Sequence, residues 1–293
     1  MARPPVHPPI DDRDRPRVAS RRHRVGAALH ALPRRRRGGT AAGGDDAVRA
    51  LVANPYTDIE DAHERLAALQ ACFEARADPR AVFLAIYERV TDAVTAEIDA
   101  ATFGDPDWVA DYLVTFANHY RRAVAAYERG DHARVPDAWQ VAFDAATDPD
   151  VLDIQHAVLG INAHINYDLA IALDAVGLDP DRRVKYRDHR AVTDILRHLV
   201  DETQRELAAT APGLGTLDRR LGDLDERATV FTLAHCRDSA WRNAVAMHSR
   251  IPLRRRFARW VTHATATGIA HLVLSSRASV AVQQSLKDFE TTG

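Results

Sequence analysis

Four Asp-Pro pairs, Asp78-Pro79, Asp105-Pro106, Asp148-Pro149 and Asp179-Pro180, punctuate the chain. Each is a helix-start signal. The aspartate carboxylate accepts the free amide hydrogens of a first turn, while the proline has no amide hydrogen to leave unpaired and a φ already helical. Thr57-Asp58-Ile59-Glu60 fits a capping box, Val135-Pro136 begins a short helix, and Gly130 and Gly177 stand where helices end. Between these marks apolar residues recur in a three-and-four rhythm, as in Val109, Tyr112, Leu113, Phe116, Tyr120 and Ala123. No window shows strand alternation and no internal repeat is clean. The expected fold is all-α. It is a single bundle-like domain of about eight helices, at 58–76, 80–101, 106–129, 137–146, 150–176, 186–210, 217–249 and 253–275, with a short one at 45–53.

Composition divides the chain unevenly. Residues 1–44 combine six prolines with an arginine-rich run and cannot bury enough apolar surface to offset their ordering entropy, so a disordered tail is expected. It reads as an upstream stretch wrongly included in the coding sequence, as an idle tail, or as a basic arm for an acidic partner. The helical domain is expected over 45–276, with a C-terminal tail at 277–293. Residues 1–39 hold eleven arginines against three aspartates, which leaves 28 basic and 38 acidic residues in the remainder. An acidic body argues against nucleic acid, whose phosphates need clustered positive charge. The Arg250, Arg254, Arg255 and Arg256 knot is read as a surface feature at a helix start. No stretch suffices for a membrane span, since Phe257 to Leu274 is broken by Arg259, His263, Thr265 and His271. Cys72 and Cys236 are two isolated thiols, as expected in a reducing compartment, and a cytoplasmic location is inferred.

The stretch 150–176 differs from its neighbours. Val151, Leu152, Ile154, Val158, Leu159, Ile161, Ile165, Leu169, Ile171, Leu173 and Val176 point around its whole circumference, so it belongs at the centre of the fold. Its middle nevertheless carries Asn162, His164, Asn166 and Asp168. Burying such groups without partners costs about 1–3 kcal/mol for each neutral group and more for a charge. His156, Gly160, His164 and Asp168 are each four apart and form one stripe; Asn162 and Asn166 form another. Asp168 can hold the His164 imidazole in one tautomer. The pattern suits a general base, a metal ligand or a purely structural polar knot.

Partners are available on other helices. Asp188 and His189 open the next long helix, which packs antiparallel to the central one if the connection is short; with His164 and Asp168 they make a candidate set for a divalent metal. Asp194, His198 and Glu202 further along read as a solvated face. Arg237 and Trp241 are one turn apart, and the arginine can face an anionic ligand or lie across the indole at the surface. Asn118 and Tyr120 can supply oriented hydrogen bonds, as can Tyr87, or they can be ordinary amphipathic core.

The run Gly160-Ile161-Asn162-Ala163-His164-Ile165-Asn166-Tyr167-Asp168-Leu169 resembles the hallmark of an uncharacterised all-helical bacterial family, domain-of-unknown-function family 5995. Phe116-Ala117-Asn118-His119-Tyr120 followed by Ala123 resembles its aromatic helix, and Trp139 and the Arg237-to-Trp241 segment its later landmarks. The resemblance covers roughly residues 45–275. It implies the helical fold and supplies no activity.

The sequence lacks a GxSxG elbow, a GxxxxGK[ST] loop and a GxGxxG after a strand, which argues against a hydrolase of the α/β type, a P-loop enzyme and a Rossmann oxidoreductase. Two readings follow. In one, the chain is a small-molecule enzyme or ligand-binding domain, with His164 and Asp168 as its catalytic pair, Asn162, Asn166, Asn118, Tyr120, Arg237 and Trp241 around the ligand, and a divalent metal as the candidate cofactor. In the other, the polar residues close into a hydrogen-bonded network in a structural or interaction module. The first predicts a cavity beside His164; the second predicts a protein partner for every polar atom. Oligomeric state is not specified by the sequence.

Overall fold

A computed structural model of the chain describes residues 46–210 and 233–275, and those residues are all-α, without a strand. The expected tails at 1–44 and 277–293 lie outside the described residues, as does the first half of the helix expected at 217–249. The helices are α1 (Asp46–Val52), α2 (Ile59–Glu74), α3 (Arg80–Asp99), α4 (Pro106–Glu128), α5 (Asp137–Ala145), α6 (Asp153–Asn162), α7 (Leu169–Val176), α8 (Arg182–Thr210), α9 (Leu233–Met247) and α10 (Pro252–Ser275). A single 3₁₀ turn, His132–Arg134, joins α4 to α5. No described helix is long and apolar enough to cross a membrane.

The start signals act as read at two of the four Asp-Pro pairs. Asp105 accepts from the Trp108 amide at 3.1 Å, and Asp78 accepts from the Arg80 amide at 2.9 Å. At the other two the helix begins a few residues later, at Asp153 and Arg182. The capping box is displaced by one residue from its expected place: Asp58, not Thr57, accepts from the Asp61 amide, and Asp61 returns the bond to the Thr57 amide. A second acidic group reinforces α4 from a distance. Asp188 of α8 accepts from the amides of Gly104 and Asp105 at 3.0 and 2.8 Å, where the helix dipole favours an anion.

The core is built in two parts. Leu66, Leu69 and Phe73 of α2, Leu84 of α3, Tyr120 and Val124 of α4, Trp139 and Phe143 of α5, Leu159 of α6 and Ala266 of α10 form one. Val109 and Tyr112 of α4, Leu169 and Leu173 of α7, Val192 of α8, and Trp241 and Met247 of α9 form the other. The helix expected at 150–176 runs through both. The expected burial on every side does not hold: Ile154 and Val158 on the first turns are exposed, and beyond Leu159 the helix is mostly buried but Ile161, Ile171 and Val176 are only partly so and Ala175 is exposed. Between α6 and α7 it widens into a π turn, Ala163–Asp168, in which the Leu169 amide bonds back five residues to the His164 carbonyl. The junction of the two cores falls at this turn, with Ile161 packed against both. Close approach of α3 to α6 depends on Gly160, where a Cβ would lie 2.5 Å from Cγ of Phe83.

Candidate functional site

The π turn carries the polar residues into the most enclosed part of the molecule. His164 and Asp168 are 2% and 1% exposed. His164 Nδ1 lies 3.1 Å from Oδ2 of Asp168, and the Trp139 indole donates to the same oxygen at 2.8 Å. Five aromatic rings enclose the imidazole. Phe116 stacks on it with centroids 3.5 Å apart, Tyr87 meets it edge-on at 4.7 Å, and Phe83, Trp139 and Tyr120 stand at 5.6, 6.1 and 6.4 Å. Three polar atoms at this centre have no hydrogen-bond partner among the described residues: Nε2 of His164, Oδ1 of Asp168 and the hydroxyl of Tyr120.

Burial drives both members of the pair toward neutrality. It pushes His164 well below the usual imidazole range. It pushes Asp168 well above the usual carboxyl range, with the Trp139 donor pulling the other way. Burial thus favours the neutral imidazole, whose Nδ1 faces Oδ2 of Asp168. Nε2 is the free end of an oriented imidazole. Phe83, Tyr120 and Trp139 belong both to this cage and to the wall of a small cavity of about 20 Å³, which extends to Phe143, His156 and Gly160. That space takes one water-sized molecule and does not reach His164.

Asn162 and Asn166 sit beside the pair and are satisfied. Asn162 donates to the Ala266 carbonyl of α10 at 2.8 Å, and its oxygen accepts from Asn166 at 3.0 Å. The two asparagines thus fasten the π turn to α10.

The remaining expected site residues lie elsewhere. Arg237, 1% exposed, donates through Nε to Thr193 at 2.9 Å and through Nη2 to the Tyr112 hydroxyl and the His189 carbonyl, each at 3.3 Å. His189 directs Nε2–H at the Arg237 carbonyl, 3.2 Å away, and presents Nδ1 to the guanidinium at 3.4 Å. Burial also holds His189 well below its usual range, with the guanidinium acting in the same direction. This second cluster is separated from His164 by the stacked rings of Tyr112 and Phe116. Arg237 forms no ion pair among the described residues, so it neither faces Asp168 nor covers an aromatic residue at the surface. Trp241 packs on Tyr186, His189 and Trp108. Asn118 is engaged with the backbone of Tyr56 and with Arg121. The expected convergence of Asp188 and His189 on His164 and Asp168 does not occur, because Asp188 caps α4 and His189 is held by Arg237. Among the described residues no three His, Cys, Asp or Glu side chains converge as metal ligands.

Sequence reasoning missed the cage as such. Phe116 enters the sequence reading only through its helical rhythm and the family's aromatic helix, and Trp139 only as a landmark of the family. Phe83 is not singled out, and their convergence on one imidazole depends on how helices cross. The Trp139 indole bond to Asp168 links residues 29 apart on different helices, and no local pattern announces it.

Fold and centre together define a class: an all-helical domain organised around a buried, partly unsatisfied His–Asp pair on a π turn. The chain belongs to a family of unknown function, DUF5995, whose family model matches residues 59–276. Comparison with curated proteins and with solved structures gave no match.

Proposed function

We propose that the domain acts on or binds a small molecule at the His164–Asp168 centre, with His164 Nε2 as the proton-accepting or proton-donating atom. One observation carries this reading: the imidazole is fixed through Nδ1 while Nε2, Asp168 Oδ1 and the Tyr120 hydroxyl are buried without a hydrogen-bond partner among the described residues. An unmade hydrogen bond of this kind costs about 1–3 kcal/mol, and burial-shifted groups held in fixed geometry mark functional sites more often than ordinary core. Asp168 orients the ring through its contact with Nδ1. Phe83, shared between the cage and the adjoining cavity, is the side chain whose rotation would join the two. With Asp188 and His189 engaged elsewhere, His164 and Asp168 are two protein donors, fewer than the three of a catalytic zinc site. The chemistry assigned is therefore proton transfer, as in hydrolysis or isomerisation.

A specific observation favours a second reading, a closed structural network: Asn162 and Asn166 are paired to α10 and to each other, and the small cavity beside the cage is not lined by His164. Nuclear magnetic resonance of histidine-labelled protein separates them. Small polar fragments added to the parent are expected to move the His164 ring signals, and His164→Phe and Asp168→Asn to abolish the binding. Ring signals that no fragment moves, or binding that survives both substitutions, would exclude the first reading.

A further inference from the structure

The first turns of α10 present apolar side chains on the wrong side for a helix that only covers a core. The body-facing side is made of small residues, with Ala258, Thr262, Ala266 and Ala270 buried. Leu253, Phe257 and Trp260 follow i, i+4, i+7 spacing on the opposite side, and all three are exposed, Trp260 by 61%. The Phe257 and Trp260 ring centroids are 5.8 Å apart, so the side chains form one ridge, and exposed Ile251 extends it at the preceding turn.

Positive charge surrounds the ridge. Residues 239–275 contain six arginines and no acidic residue, in a chain whose remainder beyond residue 39 is acidic. Arg254 and Arg256 flank the apolar stripe along the helix. Arg259 is paired with Asp174 at 3.4 Å, whereas Arg250, Arg254, Arg255 and Arg256 make no ion pair among the described residues. Arg255, Arg256 and Arg259 also line an open groove of about 540 Å³ together with Asp174, Met247 and His248, so three arginines there face one carboxylate.

We propose that this face docks on an anionic phospholipid bilayer surface, with Leu253, Phe257 and Trp260 entering the headgroup boundary and the arginines meeting lipid phosphates. Charge selects the occupant. An aromatic-aliphatic stripe bordered by unpaired arginines matches an interface that is apolar below and negative at its surface, and tryptophan favours that depth. A second copy of this chain is the poorer match, since a two-fold contact on the ridge would set one arginine row against the other.

The test uses the full chain with vesicles of phosphatidylcholine alone and with phosphatidylglycerol added, read by co-sedimentation and tryptophan emission. Trp108, Trp139 and Trp241 are buried, so a blue shift on binding reports Trp260. Binding with a blue shift is expected only where phosphatidylglycerol is present. Phe257→Ser with Trp260→Ser, and separately Arg254→Glu with Arg256→Glu, are each expected to weaken it about tenfold or more, with helical circular dichroism unchanged. Sedimentation without a blue shift and insensitive to both variants would assign binding to the arginine-rich residues 1–39 and overturn the proposal. Absence of binding would overturn it too, as would a face occupied only by a second copy or by an acidic protein.

Discussion

Two buried polar clusters lie on either side of the Tyr112–Phe116 stack, and they are finished differently. Around Arg237 the donors and acceptors that meet are matched: Thr193, Tyr112 and both the carbonyl and ring of His189 receive the guanidinium, and the Arg237 carbonyl receives the His189 ring. Around His164 the pairing stops short among the described residues, with an imidazole nitrogen, a carboxyl oxygen and a hydroxyl left over. A matched cluster strengthens the fold it sits in, because removing any member strands the others. An unmatched one subtracts from stability, and its retention needs a reason other than the fold. This contrast is what the proposed function rests on: the first cluster is accounted for by the fold alone, the second is not.

Arg237→Ala should be the most damaging change. It empties a fully buried site and strands Thr193, Tyr112 and His189, so a loss of about 3 kcal/mol or more is expected in urea unfolding. A loss under about 1 kcal/mol would show that the cluster is not the keystone its bonding suggests. Gly160→Ala should come next, at about 1–3 kcal/mol, because its methyl group would meet the Phe83 ring at 2.5–2.6 Å and the Phe83 Cβ at 2.7 Å. Displaced Phe83 would press on the cage, so the His164 ring signals should move as well.

Acid sharpens the comparison in a different way. Burial depresses His164 and His189 and takes His119 to about 3. Unfolded histidine titrates near 6.5, so the unfolded chain binds more protons below that value. Stability is then complete above about 6.5 and falls as the pH drops, by about 1.4 kcal/mol per unit for each histidine. Asp168, raised by burial, acts with the opposite sign and recovers part of this toward pH 4. Urea midpoints should decline from pH 7 to 5; a flat profile would mean that the histidines are not held neutral. The smallest effect is the most diagnostic. His164→Phe fits an aromatic cage and should leave stability within about 1 kcal/mol of the parent, whereas His189→Phe should cost about 2–4 kcal/mol. Equal losses would erase the distinction between the clusters.

Much of the fold was legible because its signals are local. The Asp78 and Asp105 starts depend on residues within one turn, and the 3.6-residue rhythm marks each helix. The same logic located the polar centre, since His164 and Asp168 stand on an otherwise apolar helix. Where partners come from far away, the reading fell short. Asp188 is drawn to amides 83 and 84 residues distant, which a helix-face argument cannot foresee. Arg237 looked like an anion binder because its true partners lie on α4 and α8. The π turn left no trace either, because nothing in Ala163-His164-Ile165-Asn166-Tyr167-Asp168 distinguishes i→i+5 from i→i+4 bonding.

That turn also acts as a phase adapter. A regular helix carries its side chains round by about 100° per residue, and one extra residue in a turn advances everything beyond it by that angle. Without the insertion, Leu169 and Leu173 would be turned by about 100° from their place in the second core while Leu159 kept its place in the first. The single irregular turn lets one continuous rod serve two cores whose faces do not align. Its cost in backbone regularity falls at the place where His164 and Asp168 are presented, so the device that joins the two cores also sets the angle at which that buried pair stands.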